Sequence, residues 1–198
     1  MKNILTMTVS AILVFMLCAC GSVKRIDPEE QVDLSGKWND TDSRMVSEAM
    51  IDDALKQRWT GDFSSRKFRN PVVIVGQIRN MTHEHISTET FTKDLERALL
   101  NSGKVDFVAA KNERGEIREE RDDQAANALP STVKKNRKEI GADFILSGTI
   151  NSIVDKATQD TVIYYQVNLE IIDMESNKKI WIGEKKLKKR VKWQSVNF

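Results

Sequence analysis

The sequence predicts an α/β (α+β) domain in which helices pack on one mixed β-sheet that finishes in an antiparallel β-meander. Three observations carry that prediction. An apolar run, VVIVGQI at 72–78, is followed by an amphipathic helical segment and then by a second apolar run, VDFVAA at 105–110. Strand, helix and strand within about 40 residues make a crossover, so these two strands are expected to be parallel. The last third instead carries three strand-like segments joined by short polar turns, the pattern of a meander.

In chain order, Asp42 is placed to cap a first helix running to about Trp59, with Met45, Val46, Ala49, Met50, Ala54 and Leu55 on its apolar face. A basic and aromatic linker, FSSRKFRN, follows, and Pro71 opens the first strand. That strand is apolar at successive positions, which predicts a central strand buried on both faces. Ser87 or Thr88 caps the next helix, where Phe91, Leu95, Ala98 and Leu99 share one face and Asn101, Ser102 and Gly103 end it. Residues 111–128 are dense in charge, with Ile117 nearly alone as a large apolar side chain, so a helix there is solvated and marginal. A short helix is expected from Ser131 to Ile140, ended by Gly141. In DFILSGTINSIV the residues Phe144, Leu146 and Ile150 share a face; in TVIYYQVNLEII the apolar face is Ile163, Tyr165, Val167, Leu169 and Ile171. KKIWIGEKKLKK follows the turn MESN as the last strand.

The N-terminus reads as a targeting segment. Lys2 precedes a largely apolar run from Ile4 to Leu17, too short for the roughly 20 helical residues that span a bilayer core. Leu17-Cys18-Ala19-Cys20 resembles the bacterial lipobox, and Ala19 gives Cys20 the small neighbour that Cys18, behind Leu17, lacks. Cys20 is therefore the expected lipidation site, diacylated and first in the mature chain, and Cys18 leaves with the signal. No free thiol is then left for a disulfide, a zinc site or a nucleophile. Gly21 after the cysteine points to outer-membrane sorting in an enteric-type host. The expected organisation is a signal peptide at 1–19, a lipidated N-terminus and short tether at 20–40, and a single globular domain at 41–198. Fully extended, twenty tether residues reach at most about 70 Å.

With 31 basic and 29 acidic residues the chain carries +2, and loss of Lys2 leaves +1. That balance gives no reason to expect nucleic acid as partner. His83-Glu84-His85 holds both histidines, yet a catalytic zinc takes three protein ligands and neither a third histidine nor a free cysteine exists. These residues are read as an ordinary polar loop. Gly-x-Ser-x-Gly is absent, Gly148 sits mid-strand where glycine permits close packing, and Gly76 alone is no dinucleotide loop. No catalytic residue, cofactor or metal site is assigned. The run KKLKKRVKW at 185–193 has six basic residues among nine and is read as an edge strand blunted by lysines rather than as a site for anionic partners.

Several stretches together carry a family resemblance: DLSGKWNDTDSRMV, VVIVGQIRNMTHEHISTETFTKDLERALLNSGKVDFV, GADFILSGTINSIV and YYQVNLEIIDMESNKKIWIGEKK, with the lipobox. They resemble the LpoB-type lipoproteins, outer-membrane activators of penicillin-binding proteins, over roughly residues 33–190. The resemblance implies a helix-flanked mixed sheet similar to the N-terminal domain of TolB. It also implies a non-enzymatic, monomeric partner that docks on a small regulatory domain of a bifunctional peptidoglycan synthase. The short tether departs from the long proline-rich one of the enteric members. An envelope-assembly or secretion component similar to CsgG is the alternative, although such a pore needs further amphipathic strands to cross a membrane.

Overall fold

A computed structural model describes residues 23–28, 30–134 and 139–192. Five strands form one sheet in the order β2-β1-β3-β4-β5. The strands are β1 (Val72–Asn80), β2 (Asp106–Phe107), β3 (Phe144–Lys156), β4 (Asp160–Asp173) and β5 (Lys179–Lys192). β1 is parallel to both β2 and β3, whereas β3, β4 and β5 are successively antiparallel. The expected parallel crossover and C-terminal meander are both present. β2 is much shorter than the expected 105–110 strand, because only Asp106 and Phe107 pair with β1.

The helices are α1 (Asp40–Lys56), α2 (Trp59–Lys67), α3 (Thr88–Asn101) and α4 (Arg114–Asn127). α1 starts earlier than predicted. Asn39 is its cap, and Asp42 completes a capping box by accepting from the Asn39 backbone N–H at 3.0 Å. α1 buries Val46, Met50, Ile51, Ala54 and Leu55, while Met45 faces solvent. It stops at Gln57, whose backbone is extended, and the Ala54 carbonyl accepts from the Gln57 N–H at 3.3 Å and from the Trp59 indole N–H at 2.8 Å. The supposed linker FSSRKFRN is mostly helical: α2 continues to Lys67 and packs Trp59 and Phe63 edge-on against Phe144. α3 is capped by Ser87, buries Phe91, Leu95 and Leu99, and is followed by Gly103 at φ +64°.

These three helices share one core with one face of the sheet, contributed by Val73, Val75, Ile78, Phe144, Leu146, Ile150 and the predicted five residues of β4. Burying each such aliphatic or aromatic side chain contributes about 1.5–3 kcal/mol. The other face is not covered in the same way. β1 is central as expected but is buried throughout only toward the helices; on its other side Val72 is buried, Ile74 is half-buried and Gln77 and Arg79 are exposed. α4 buries no residue. Three of its arginines, Arg114, Arg118 and Arg121, converge on Glu139, whose carboxyl the Arg118 hydrogen bond holds down at about 2. Of the helix expected over Ser131–Ile140, residues 131–134 form only a turn on Leu129, and 135–138 lie outside the described residues.

The compact unit that holds the sheet begins at Val32, so residues 32–40, expected in the tether, are part of it. They form a strap over the core side of β4 and β5. Gly36 lies so close to Val191 that an added Cβ would sit 2.4 Å from its methyl group. Trp38 meets Phe91 and Tyr165 edge-on at 6.0 and 5.6 Å.

Candidate docking face

Two arrangements of polar groups stand out, one inside the fold and one on its surface. The inner one explains the polar residues of the strap and of the 81–87 loop. His83 and His85 both face solvent, and Glu84 between them turns inward. One of its carboxylate oxygens accepts from the Tyr165 hydroxyl at 2.7 Å and the other from the Trp38 backbone N–H at 3.1 Å. The Tyr165 hydroxyl also reaches the Gly36 carbonyl at 3.3 Å. Burial, reinforced by the Glu84 carboxylate, pushes the phenol well above its ordinary value, so it remains a protonated donor. A second tie holds the same strap. The Lys189 ammonium donates to Asp42 at 2.5 Å, Asp33 at 2.9 Å and the Lys37 carbonyl at 3.2 Å. Burial lowers the affinity of Lys189 for its proton, but the hydrogen bonds to the two aspartates outweigh it and its pKa is raised. The Glu84 carboxylate is satisfied by neutral donors and the Lys189 ammonium by two carboxylates, and both clusters hold the strap. They offer no activated nucleophile.

The outer arrangement is the uncovered sheet face. Because side chains alternate along a strand, burial of Ile163, Tyr165, Val167, Leu169 and Ile171 sends Tyr164, Gln166, Asn168 and Glu170 to the opposite side. The register places Ser147, Glu170 and Ile182 in one row across β3, β4 and β5, and Thr149, Asn168 and Glu184 in the next. Further rows are Asn151, Gln166 and Lys186, then Ile153, Tyr164 and Lys188. Along β4 the Tyr164 hydroxyl donates to Gln166 at 3.2 Å, and Gln166 donates to Asn168 at 3.2 Å. Near β1 this face holds a polar depression of about 440 Å³ lined by Gln77, Arg79, Ser147, Thr149, Asn168 and Glu170 among others. Gly148 floors it, where a Cβ would lie 2.1 Å from the Asn168 carbonyl oxygen, the close packing expected of a mid-strand glycine. An open face of amides, hydroxyls and paired charges can recognise another surface through many modest hydrogen bonds.

Cys20 lies outside the described residues. Among the described residues no group of three or more His, Cys, Asp or Glu could hold a metal ion. The basic run 185–192 falls on β5, the edge strand, as expected, with Trp193 outside the described residues. Its basic residues have distinct tasks that composition does not separate: Lys189 is turned into the strap, Lys186 pairs with Glu184 and Arg190 with Asp160.

The peptidoglycan-synthase activator LpoB family matches residues 42–187. The chain belongs to that family. Its members are regulatory activators rather than catalysts. Among solved structures, the LpoB C-terminal domain from Salmonella enterica is 15% identical with a TM-score of 0.42, covering 74% of this chain and 98% of that one. The LpoB C-terminal domain from Escherichia coli is 17% identical with a TM-score of 0.37, covering 66% and 98%. A PelC dodecamer from Paraburkholderia phytofirmans is 18% identical with a TM-score of 0.34, covering 62% and 73%. No curated protein matches the sequence.

Proposed function

We propose that this LpoB-family chain is a lipid-anchored, non-catalytic activator of a bifunctional penicillin-binding protein. The family match over residues 42–187 carries the proposal. In this account residues 1–19 are removed as a signal, Cys20 is acylated, and the domain works in the periplasm as a monomer held at the outer membrane. The lipobox supports the anchor. None of the described helices is long and apolar enough to cross a membrane. The unit that holds the sheet starts at Val32, so the tether in this proposal is residues 21–31, which reach at most about 40 Å if fully extended. The partner must reach to the domain across the remaining gap.

Activation follows from differential binding. The β1 end of the uncovered sheet face, around the depression at Arg79 and Asn168, holds the active conformation of the synthase more tightly than the resting one; a tenfold shift between the two takes about 1.4 kcal/mol of difference. Crosslinking in intact cells followed by affinity purification tests the partner. A bifunctional penicillin-binding protein is expected among the adducts, and its absence under conditions that capture known envelope complexes would count against the account. Radiolabelled palmitate should mark the wild-type chain and not a Cys20→Ala variant.

A further inference from the structure

The far end of the sheet lies outside the polar depression around Arg79 and Asn168 and carries a different chemistry. β1 stops at Asn80, opposite Ile150, and the three-stranded extension beyond it runs about 20 Å further to the β3–β4 turn. This end exposes aliphatic side chains unusual for a polar surface: Ile153 and Val154 on β3 are 67% and 47% accessible, and Leu34 on the strap is 95% accessible. Lysines accompany them. Lys37, Lys156, Lys188 and Lys192 are exposed and take part in no ion pair among the described residues. The acidic groups nearby are largely spoken for, with Asp160 held by Arg190, and Asp33 and Asp42 by Lys189; Asp155 and Asp40 remain.

The same end is where the chain arrives from its N-terminus. Asp33, Leu34, Ser35 and Gly36 lie along Lys189–Lys192, forming one shallow groove with them. Any anchor upstream of Val32 therefore pulls on this end of the sheet and not on the other. Exposed aliphatics among unpaired lysines at the tethered end match what an anionic bilayer surface binds: apolar side chains enter the headgroup boundary while lysines meet phosphates.

We propose that the hairpin end, through Leu34, Ile153, Val154, Lys156, Lys188 and Lys192, is a contact surface for anionic phospholipid that seats the domain on its own membrane. The inference rests on the anchor at Cys20 for its biological setting, but the surface chemistry is independent of acylation. Seated this way, the domain turns the polar depression around Arg79 and Asn168, at the other end of the open face, away from the lipid and toward a partner.

The test uses the unacylated mature chain from Gly21 onward. It is sedimented with vesicles of phosphatidylethanolamine containing about one-third phosphatidylglycerol, and with vesicles of phosphatidylcholine alone, at low and at physiological salt. Expected is binding to the anionic vesicles that weakens with salt. Each lysine near an anionic surface strengthens binding about fivefold, so K188E with K192E should weaken it by more than about thirtyfold. A Lys111→Glu, Lys178→Glu control has the same net charge at positions away from this end and should bind nearly as wild type. Leu34→Asp, on a side chain that packs on nothing, gives a second variant that does not threaten the fold. No binding of the wild type to anionic vesicles, or equal loss in the control, would overturn the proposal. So would a K188E/K192E variant that keeps lipid binding yet no longer stimulates the synthase, because an acidic protein surface would then be the occupant. The two accounts separate cleanly. Synthase stimulation without lipid binding removes the lipid surface and leaves the activator, whereas lipid binding with no synthase stimulated removes the activator.

Discussion

Replacing Glu84, which sits between two solvent-facing histidines, should cost far more stability than replacing both of its neighbours. Its carboxylate accepts from the Tyr165 hydroxyl at 2.7 Å and the Trp38 amide at 3.1 Å, and Tyr165 is fully buried. In Glu84→Ala the Trp38 N–H loses its acceptor, a loss of about 1–3 kcal/mol for a buried donor. The Tyr165 hydroxyl falls back on its longer bond to the Gly36 carbonyl, which adds about 1 kcal/mol more. Together the expected destabilisation is about 3 kcal/mol, on the order of 10 °C in Tm for a domain of this size. His83→Ala with His85→Ala should stay within about 0.5 kcal/mol. Urea unfolding followed by tryptophan fluorescence suits the comparison, because Trp38 lies against Tyr165 and Phe91. The reasoning is refuted if Glu84→Ala loses less than about 1 kcal/mol, or if the histidine double variant loses as much.

Lys189, Glu139 and Gly148 carry the further expected outcomes. Lys189→Met leaves Asp42 buried without its cation and should lower stability by about 3 kcal/mol in urea titrations. Adding Asp42→Asn should restore part of that loss, since removing both charges is milder than stranding one. The Lys189 contribution itself should persist through neutral pH and fade only as pH rises beyond the ordinary lysine range, because its folded pKa is raised. Glu139 is the opposite case: its folded pKa of about 2 lies below the ordinary 4.5, so its hold on α4 is complete above that value and is lost as pH falls toward 2. Helicity measured by circular dichroism should drop over that window, and Glu139→Gln should show the low-helix signal already at neutral pH. Gly148→Ala should misfold or aggregate on expression, because its Cβ has no room beside the Asn168 carbonyl.

The sheet was legible wherever one face alone decides burial. On β4 the strict alternation from Ile163 to Ile171 assigns the core side residue by residue, and the polar alternates name the open face. On β1 the rule misleads, since VVIV is apolar at successive positions although only the helix side is fully covered. Short elements were lost for a different reason. α2 buries just Trp59 and Phe63, too few contacts to leave a periodic signal among arginines and serines. The cap moved from Asp42 to Asn39 because both residues suit an N-terminus, and the Asn39 amide is further held by Asp33 of the strap. The strap itself looks like a linker: its polar side chains are partnered only after Lys189, Glu84 and Tyr165 arrive from distant strands and loops. Glu84 carried a faint signal, a carboxylate in a loop whose neighbours are both histidines, and attention to the histidines hides it.

The activator account is tested most directly by adding the unacylated mature chain to each bifunctional penicillin-binding protein of the same organism and measuring glycan polymerisation and crosslinking. The account predicts a saturable rise in rate with one of them, retained when Lys188 and Lys192 are reversed in charge. Failure to bind any of these enzymes or to change their rates would contradict it.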